Sequence, residues 1–217
     1  MKTLIKAEQV PDSVLIYLDG DNKIWESILD RIGVSVNTTV KPLGIGGHGI
    51  AIEIDPKRVL KITDDKTEAD AAIILQHNPM PEAYNVSDVF SIKLPYGLRY
   101  GIICENLEFP SHEYEKLAKD WNDQTGGFDY LTPENIDLVF GGDKTKYGQS
   151  MIWLESAATN LVARNIFYAD LKPDNLMRRS NGEHCIIDFG NHSEVPEATV
   201  PALIQVASRL VNFSRSR

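Results

Sequence analysis

The chain has 217 residues, of which 42% are hydrophobic and 24% are charged. Both fractions are close to the averages of soluble globular domains, which excludes a disordered chain, a collagen-like chain and a small disulfide scaffold. The formal net charge is −9, from 22 basic and 31 acidic residues, so we expect no surface that binds nucleic acid.

No run in the sequence approaches the roughly 18 apolar residues of a membrane span, so we expect no membrane partner. Charged residues interrupt the segment 1–8, which argues against a signal peptide and predicts a cytoplasmic protein. Cys104 and Cys185 each lie in a short apolar run, as expected for buried thiols in a reducing compartment. No feature of the sequence predicts an oligomeric state.

The first part of the chain predicts a helical lead-in followed by strands. Five apolar residues at helical spacing precede Gly33, which predicts a helix that stops there: Ile24, Trp25, Ile28, Leu29 and Ile32. Strand-like runs follow at 34–40, 50–54 and 59–62, with a turn at 55–58, and predict a three-stranded meander.

The rest of the chain changes from strands to helices. A helix is predicted at 66–77, and two further strands are predicted at 88–94 and 99–105. Later segments predict helices near 112–120, after Thr132, at 149–163 and at 201–213, and a short β-hairpin around Asn181-Gly182. The sequence therefore predicts an α+β fold with a lead-in over 1–33, a strand-rich lobe over 34–106 and a helical lobe over 107–217.

Gly44, Gly46 and Gly49 form a G-x-G-x-x-G pattern between two predicted strands. A Rossmann dinucleotide site needs a helix directly after the glycines, and residues 50–54 are strand-like, so that fold is disfavoured. Two interpretations remain. The hairpin needs glycines for its turn, or its backbone N–H groups approach phosphate oxygens with no side chain in the way.

Lys61 lies in the middle of an apolar predicted strand, and Glu68 lies on the apolar side of the next predicted helix. An ion pair between them would orient the lysine toward nucleotide phosphates. One alternative is a lysine on an edge strand whose charged end reaches solvent. Another is that Glu68 completes a capping box with Asp65.

The segment Tyr168-Ala169-Asp170-Leu171-Lys172-Pro173-Asp174-Asn175 is followed, after the predicted hairpin, by Ile186-Ile187-Asp188-Phe189-Gly190. The two segments resemble the catalytic loop and metal-binding triplet of the protein-kinase family, whose signature H-R-D-L-x-x-x-N is followed by D-F-G. The resemblance covers roughly residues 34–190, with the glycine pattern and strand lysine upstream in the same order. It implies a single kinase-like domain over 1–217, bilobal, with a small antiparallel sheet lobe that carries one helix and a reduced helical lobe.

The resemblance implies ATP and Mg²⁺ as cofactors. Asp170 is expected to accept or orient the proton of the acceptor hydroxyl, and Lys172 to neutralise charge on the transferred phosphoryl group. Asn175 and Asp188 are expected to supply oxygen ligands to Mg²⁺.

The resemblance also implies how the nucleotide binds. Lys61 is expected to hold the α- and β-phosphates and to pair with Glu68, while the three glycines cover the phosphates. His48 stands where the family usually has an aromatic residue at the tip of this loop.

Five further positions match the adenine site of that family. Ala51, Val59 and Met177 match the residues that sandwich the base. Glu105 and Leu107 match the hinge, whose backbone groups contact the edge of adenine.

Two departures from the family pattern bear on function. Tyr168 and Ala169 replace the usual His-Arg pair, so activity is not expected to depend on phosphorylation of an activation loop. Few residues follow Gly190, so the helices on which peptide substrates usually dock are expected to be missing or reduced.

The leading hypothesis is a compact Ser/Thr protein kinase, similar to those of bacteria and bacteriophages, that phosphorylates a protein substrate. The Leu-Lys-Pro-x-Asn form favours this because small-molecule phosphotransferases lack that lysine. A small-molecule kinase of the aminoglycoside or choline type and a non-catalytic kinase-like binding protein are the alternatives. A phosphatase-like pattern at 15–21 is set aside because a helical pattern follows it at once.

Overall fold

The computed structural model describes residues 11–112, 115–116, 153, 156–157, 159–166 and 175–190. Within them the chain is an α+β protein with a five-stranded antiparallel sheet and a separate two-stranded sheet. Two compact units divide it. The first contains the described residues up to Gln76 together with Asn85–Asn106, and the second contains His77–Tyr84 and the described residues from Leu107 onward. Residues 77–84, which sequence analysis assigned to the first lobe, therefore belong to the second unit.

The helices with complete bounds are α1 (Asp12–Ile16), α2 (Asn22–Arg31) and α3 (Lys66–His77). The strands of the large sheet are β1 (Lys41–Ile45), β2 (Gly49–Asp55), β3 (Arg58–Thr63), β4 (Val86–Leu94) and β5 (Gly97–Glu105). The small sheet contains β6 (Leu176–Arg178) and β7 (His184–Ile186), and residues 159–162 are also helical. The segment 15–21, with its phosphatase-like pattern, lies in α1 and the turn that follows it.

The predicted strand at 34–40 is wrong, because the first strand begins only at Lys41. The carbonyl of Ser35 accepts a hydrogen bond from the N–H of Thr38 at 2.9 Å, and its hydroxyl accepts one from the N–H of Asn37 at 3.2 Å. Local bonds of this kind take donors that a strand ladder requires, and here they outweigh the β propensity of the branched residues.

The large sheet has the strand order β1-β2-β3-β5-β4, so β3 is its central strand. Successive side chains of a strand point to opposite faces of the sheet. One face, called the lead-in face, carries buried apolar residues: Ile50, Ile52, Ile54, Leu60, Ile62 and Ile103. On the other face, called the lysine face, Lys61 lies between its cross-strand neighbours Ala51 and Ile102.

Helices α1 and α2 cover the lead-in face of the sheet. Their apolar residues form one buried cluster with those of the strands: Val14, Leu18, Trp25, Ile28 and Leu29. The carboxylate of Asp21 caps α2 by accepting from the N–H of Lys23 at 2.8 Å, and Gly33 with φ +69° lies just after its end. Arg31 at the last turn pairs with Asp88 of β4 at 3.0 Å. The predicted lead-in helix is therefore part of the core of the first unit.

In the second unit, two arginines hold the segment 77–84 by its backbone carbonyls. Arg164 donates to the carbonyls of Asn78 and Pro79 at 2.8 and 2.9 Å. Arg179 donates to two further carbonyls of the segment at 2.7 and 2.6 Å. These bonds place an irregular segment firmly within the second unit.

A buried carboxylate adds to this attachment. Glu82 accepts hydrogen bonds from the hydroxyl of Ser156 at 2.5 Å and from the amide of Asn160 at 3.2 Å. The neighbouring Ala83 forms a parallel bridge with Ile186 of β7. The segment thus connects the helical residues near 160 to the small sheet.

Some predicted elements lie outside the described residues, namely the helix after 132, the helix at 201–213, and most of those at 112–120 and 149–163. Of the helices that are described, none has the length and apolar character needed to cross a membrane. Cys104 and Cys185 are both in the thiol form; Cys185 is buried, as predicted, whereas Cys104 is half-buried.

Candidate functional site

The glycine pattern lies in the β1–β2 hairpin, whose tip is Gly46-Gly47-His48. Two tip carbonyls are held by neighbouring elements. The hydroxyl of Tyr17 donates to the carbonyl of Gly46 at 2.9 Å, and the N–H of Asp64 donates to the carbonyl of His48 at 2.9 Å. The ring Nδ1 of His48 also lies 3.2 Å from Oδ1 of Asp64. The tip is therefore attached both to the end of α1 and to the end of β3.

The glycines of this hairpin differ in how much space a side chain would have at each position. A Cβ atom on Gly44 or Gly47 would meet no atom within 4 Å, and one on Gly46 would meet only the carbonyl of Gly49 at 3.9 Å. None of these three has a positive φ. A Cβ atom on Gly49 would lie 2.3 Å from the carbonyl oxygen of Ile62, so packing requires glycine there. The need for a turn does not explain the other glycines, and the open space above them fits a ligand that approaches the backbone.

Lys61 lies on the central strand β3, which makes the edge-strand alternative wrong. Ala51 is its direct cross-strand neighbour, and Val59 lies two residues earlier on the same strand and the same face. Val59 is buried and Ala51 is half-buried. The structure thus brings together one cationic and two apolar residues that sequence analysis assigned to a nucleotide site.

Glu68 lies in the first turn of α3 with 1% of its surface exposed, and its carboxylate contacts the ammonium group of Lys61. The predicted ion pair is therefore present. Asp65 caps the helix by accepting from the N–H of Thr67 at 2.8 Å. The N–H of Asp65, which a capping box would bond to Glu68, donates to Thr63 Oγ1 at 3.1 Å. The buried Glu68 carboxylate holds the Lys61 ammonium group in place. Separating the two charges would leave the cost of removing them from water without compensation.

The two predicted hinge residues differ in how their backbones are used. The N–H of Glu105 donates to the carbonyl of Asn85 at 3.0 Å, so that donor is not available to a ligand. The next residue, Asn106, donates its N–H to the carbonyl of Lys57 at 2.8 Å. Leu107 lies in neither a helix nor a strand, and its backbone groups form no hydrogen bond within the described residues. Of the two predicted hinge residues, Leu107 is therefore the one whose backbone groups have no described hydrogen bond.

Asn175 and Asp188 lie at the open end of the β6–β7 hairpin. Leu176 pairs with Ile186, and one step outward the N–H of Ile187 donates to the carbonyl of Asn175 at 2.9 Å. Asn175 is buried, and Asp188 has φ +60°, in the left-handed region that few residues other than glycine adopt. The pairing thus brings the two predicted metal ligands to the same end of one small sheet.

The residue after Asp188 fixes this unusual backbone. Phe189 has no exposed surface, and its ring stacks on that of Tyr84 with centroids 5.7 Å apart and an interplanar angle of 15°. Unfavourable dihedrals of this kind persist when the surrounding packing holds them, and they cluster at functional sites. Met177, assigned to the adenine site, pairs with Cys185 and is half-buried.

The oxygen atoms of Asn175 and Asp188 fit Mg²⁺, which prefers amide, carboxylate, water and phosphate oxygens. The described part of the chain contains no group of three or more His, Cys, Asp or Glu side chains that could hold a metal ion. In phosphoryl-transfer sites, Mg²⁺ commonly takes one or two oxygen ligands from the protein and its other ligands from phosphate and water, and Asn175 and Asp188 would agree with this pattern. Asp170 and Lys172 lie outside the described residues.

Sequence analysis did not find Tyr17, Asp64 or Tyr84, which hold the predicted site residues in place. Tyr17 contacts a residue 29 positions away from the end of a short helix, and no motif marks it. Tyr84 belongs to an irregular segment without periodicity. Asp64 is one of several acidic residues, and no motif marks it.

No protein-family model matches this chain, and neither does any curated protein. The resemblance to the protein-kinase family therefore depends on the sequence motifs.

Proposed function

We propose that this chain is an ATP-dependent phosphotransferase with a kinase-like fold, which moves the γ-phosphate of MgATP to a Ser or Thr hydroxyl of a protein substrate. The contact between Lys61 and the buried Glu68 carries this proposal. A buried ion pair commonly costs as much in desolvation as it returns in stability, so its position in the centre of a sheet favours a role in binding.

Several residues of the first unit suit the nucleotide. The ammonium group of Lys61, held by Glu68, would neutralise the α- and β-phosphates. The hairpin leaves open space over Gly44 and Gly47, so backbone N–H groups can approach phosphate oxygens. Ala51 and Val59 offer apolar surface to the adenine ring on the lysine face.

The residues of the second unit suit the metal and the chemistry. When bound, Mg²⁺ neutralises charge between the β- and γ-phosphates. Asn175 and Asp188 would hold the ion through oxygen atoms. Asp170 would accept the hydroxyl proton while the acceptor oxygen bonds to the γ-phosphorus and the bond to the bridging oxygen breaks, which releases ADP. Lys172 would stabilise the charge on the transferred group.

The test is transfer from ATP labelled on its γ-phosphate, with Mg²⁺, to a panel of proteins beside aminoglycosides and choline. We expect label on serine or threonine of a protein, and we expect Asp170→Asn to abolish transfer while ATP binding persists. Label on a small molecule would reassign the acceptor class. ATP binding without transfer would indicate a binding protein, and the absence of ATP binding would overturn the proposal.

A further inference from the structure

The lead-in helix α1 reaches the glycine hairpin through one hydrogen bond, from the Tyr17 hydroxyl to the carbonyl of Gly46 at 2.9 Å. The Tyr17 ring packs against the buried cluster on the lead-in face of the sheet. Because the ring is anchored, the hydroxyl has little freedom to move. The carbonyl of Gly46 is therefore held toward the lead-in face.

The same peptide unit carries the N–H of Gly47. No described peptide bond is cis, and in a planar trans peptide the C=O and N–H point in opposite directions. The N–H of Gly47 therefore points away from the Tyr17 hydroxyl. It donates no hydrogen bond within the part of the chain that the structure describes, and a Cβ atom at Gly47 would meet nothing within 4 Å.

The neighbouring groups of the tip are already bonded. The carbonyl of His48 accepts from the N–H of Asp64 at 2.9 Å, and the N–H of Gly46 donates to the carbonyl of Gly49 at 2.8 Å. These bonds fix the backbone on both sides of Gly47. Its N–H is thus a donor in a fixed direction that has no partner among the described groups.

We propose that Tyr17 is a positioning residue for phosphate: its hydroxyl fixes the peptide between Gly46 and Gly47 so that the N–H of Gly47 donates to a phosphate oxygen of bound ATP. The inference depends on the proposed function, because it requires ATP to bind beneath the hairpin. A donor that is oriented before binding costs no ordering when the ligand arrives, so it contributes more to affinity. Adenosine has no phosphate, so its binding should not depend on Tyr17.

The test compares MgATP and adenosine binding to the wild-type chain, to Tyr17→Phe and to Tyr96→Phe. Tyr17→Phe keeps the packed ring and removes only the hydroxyl. We expect the Kd for MgATP to rise about twofold to tenfold, the range of one hydrogen bond, with no change for adenosine. Tyr96 is 93% exposed in the β4–β5 turn, so its variant should bind both ligands as the wild type does. In kinetics, the KM for ATP should rise with little change in kcat.

The outcomes separate this inference from the proposed function. Wild-type binding of MgATP with an unchanged Kd in Tyr17→Phe would overturn the inference alone, and so would an equal loss for adenosine. No MgATP binding by the wild-type chain would overturn both. Amide exchange in the wild type provides a second measurement that needs no variant. We expect MgATP, but not adenosine, to protect the N–H of Gly47, and equal protection by both would contradict the inference.

Discussion

Two hairpins carry predicted site residues, one in each compact unit, and they are built in opposite ways. The tip of the β1–β2 hairpin is exposed, and open space surrounds the Cβ positions of Gly44 and Gly47. The open end of the β6–β7 hairpin is buried, with 2% of Asn175 and none of Phe189 exposed. It also contains the left-handed backbone at Asp188.

This difference indicates when each hairpin acquires its shape. Near Asp188, the stack of Phe189 on Tyr84 holds an unfavourable backbone before any ligand binds, so folding alone sets the backbone that carries the Asp188 side chain. At the β1–β2 tip, the carbonyls of Gly46 and His48 and the N–H of Gly46 are bonded, whereas the N–H of Gly47 has no partner among the described groups. Substitutions at the tip should mainly weaken ligand binding, whereas substitutions near Asp188 should affect chemistry or folding.

The largest effect is expected at Asp188. Asp188→Asn should reduce phosphoryl transfer by about a thousandfold or more, because the proposed metal ligand loses its charge. Asparagine tolerates the left-handed backbone, so the free energy of unfolding should change by less than about 0.5 kcal/mol. Transfer rates over a Mg²⁺ titration and urea unfolding measure the two quantities.

Asp19→Asn is the matched control, because Asp19 has φ +53° on an exposed turn after α1. It should retain full transfer. If Asp188→Asn also kept most of its rate, the assignment of Asp188 as a metal ligand would be wrong.

The second-largest effect concerns the ion pair of Lys61 and Glu68, and it distinguishes a structural role of the pair from a role in ATP binding. Lys61→Met removes the partner of the buried Glu68 carboxylate and should lower stability by about 3–5 kcal/mol. The double variant Lys61→Met/Glu68→Leu replaces the pair by apolar side chains and should recover most of that loss. Neither variant should bind MgATP tightly. Urea unfolding and ATP titration check these expectations.

Lys57→Met is the control for loss of a lysine, because Lys57 is exposed in the turn between β2 and β3. It should change neither stability nor ATP affinity. A double variant that transferred phosphate at the wild-type rate would show that the pair is only structural.

A smaller effect should distinguish two glycines of the same hairpin. Gly49→Ala places a methyl group against the carbonyl of Ile62 and should cost about 1–3 kcal/mol of stability. Gly47→Ala meets no atom within 4 Å, so stability should hold while the Kd for MgATP rises. Thermal unfolding and ATP titration of both variants measure this contrast. The reverse pattern would mean that the tip glycines serve the turn.

Much of the first unit could be predicted because its signals are local. The helix at 66–77 agrees with α3, since acidic residues precede it and its apolar positions recur at helical spacing. The contact between Lys61 and Glu68 could be predicted because Glu68 lies on the apolar side of that helix. The strand predicted at 34–40 is wrong because only its β-branched residues are evident in the sequence. The local hydrogen bonds of Ser35, which form a turn instead, are visible only in the structure.

What could not be predicted depends on contacts between distant residues. Placing β3 at the centre of the sheet requires the order of all five strands. The alternation of apolar and polar residues along each strand does not reveal that order. The hydrogen bond from Tyr17 to Gly46 joins a helix end to a hairpin tip, and neither residue type specifies the other. The attachment of 77–84 to Arg164 and Arg179 likewise crosses more than eighty positions of sequence.

The smallest expected effect concerns the turn between β2 and β3, the strands that carry Ala51 and Lys61. Asp55 accepts from the N–H groups of Lys57 and Arg58 at 2.8 and 2.9 Å and pairs with Nε of Arg58 at 2.7 Å. Burial raises the pKa of the Asp55 carboxyl, but the hydrogen bonds and charge of Arg58 and the N–H of Lys57 outweigh it and hold the pKa below its usual 3.8.

Because the folded-state pKa is lowered, the charged form of Asp55 favours folding. Its contribution is complete above the unfolded pKa and is lost as the pH falls through the folded pKa. Asp55→Asn keeps an acceptor oxygen but loses the charge, so it should cost less than about 1 kcal/mol near neutral pH, and the difference from wild type should disappear in acid, once the pH lies below the folded-state pKa. Asp55→Ala also loses the acceptor, so part of its cost should persist in acid. Urea unfolding at both pH values tests this. A pH-independent cost for Asp55→Asn would contradict it, as would a change in ATP affinity near neutral pH, because the turn would then belong to the phosphate site.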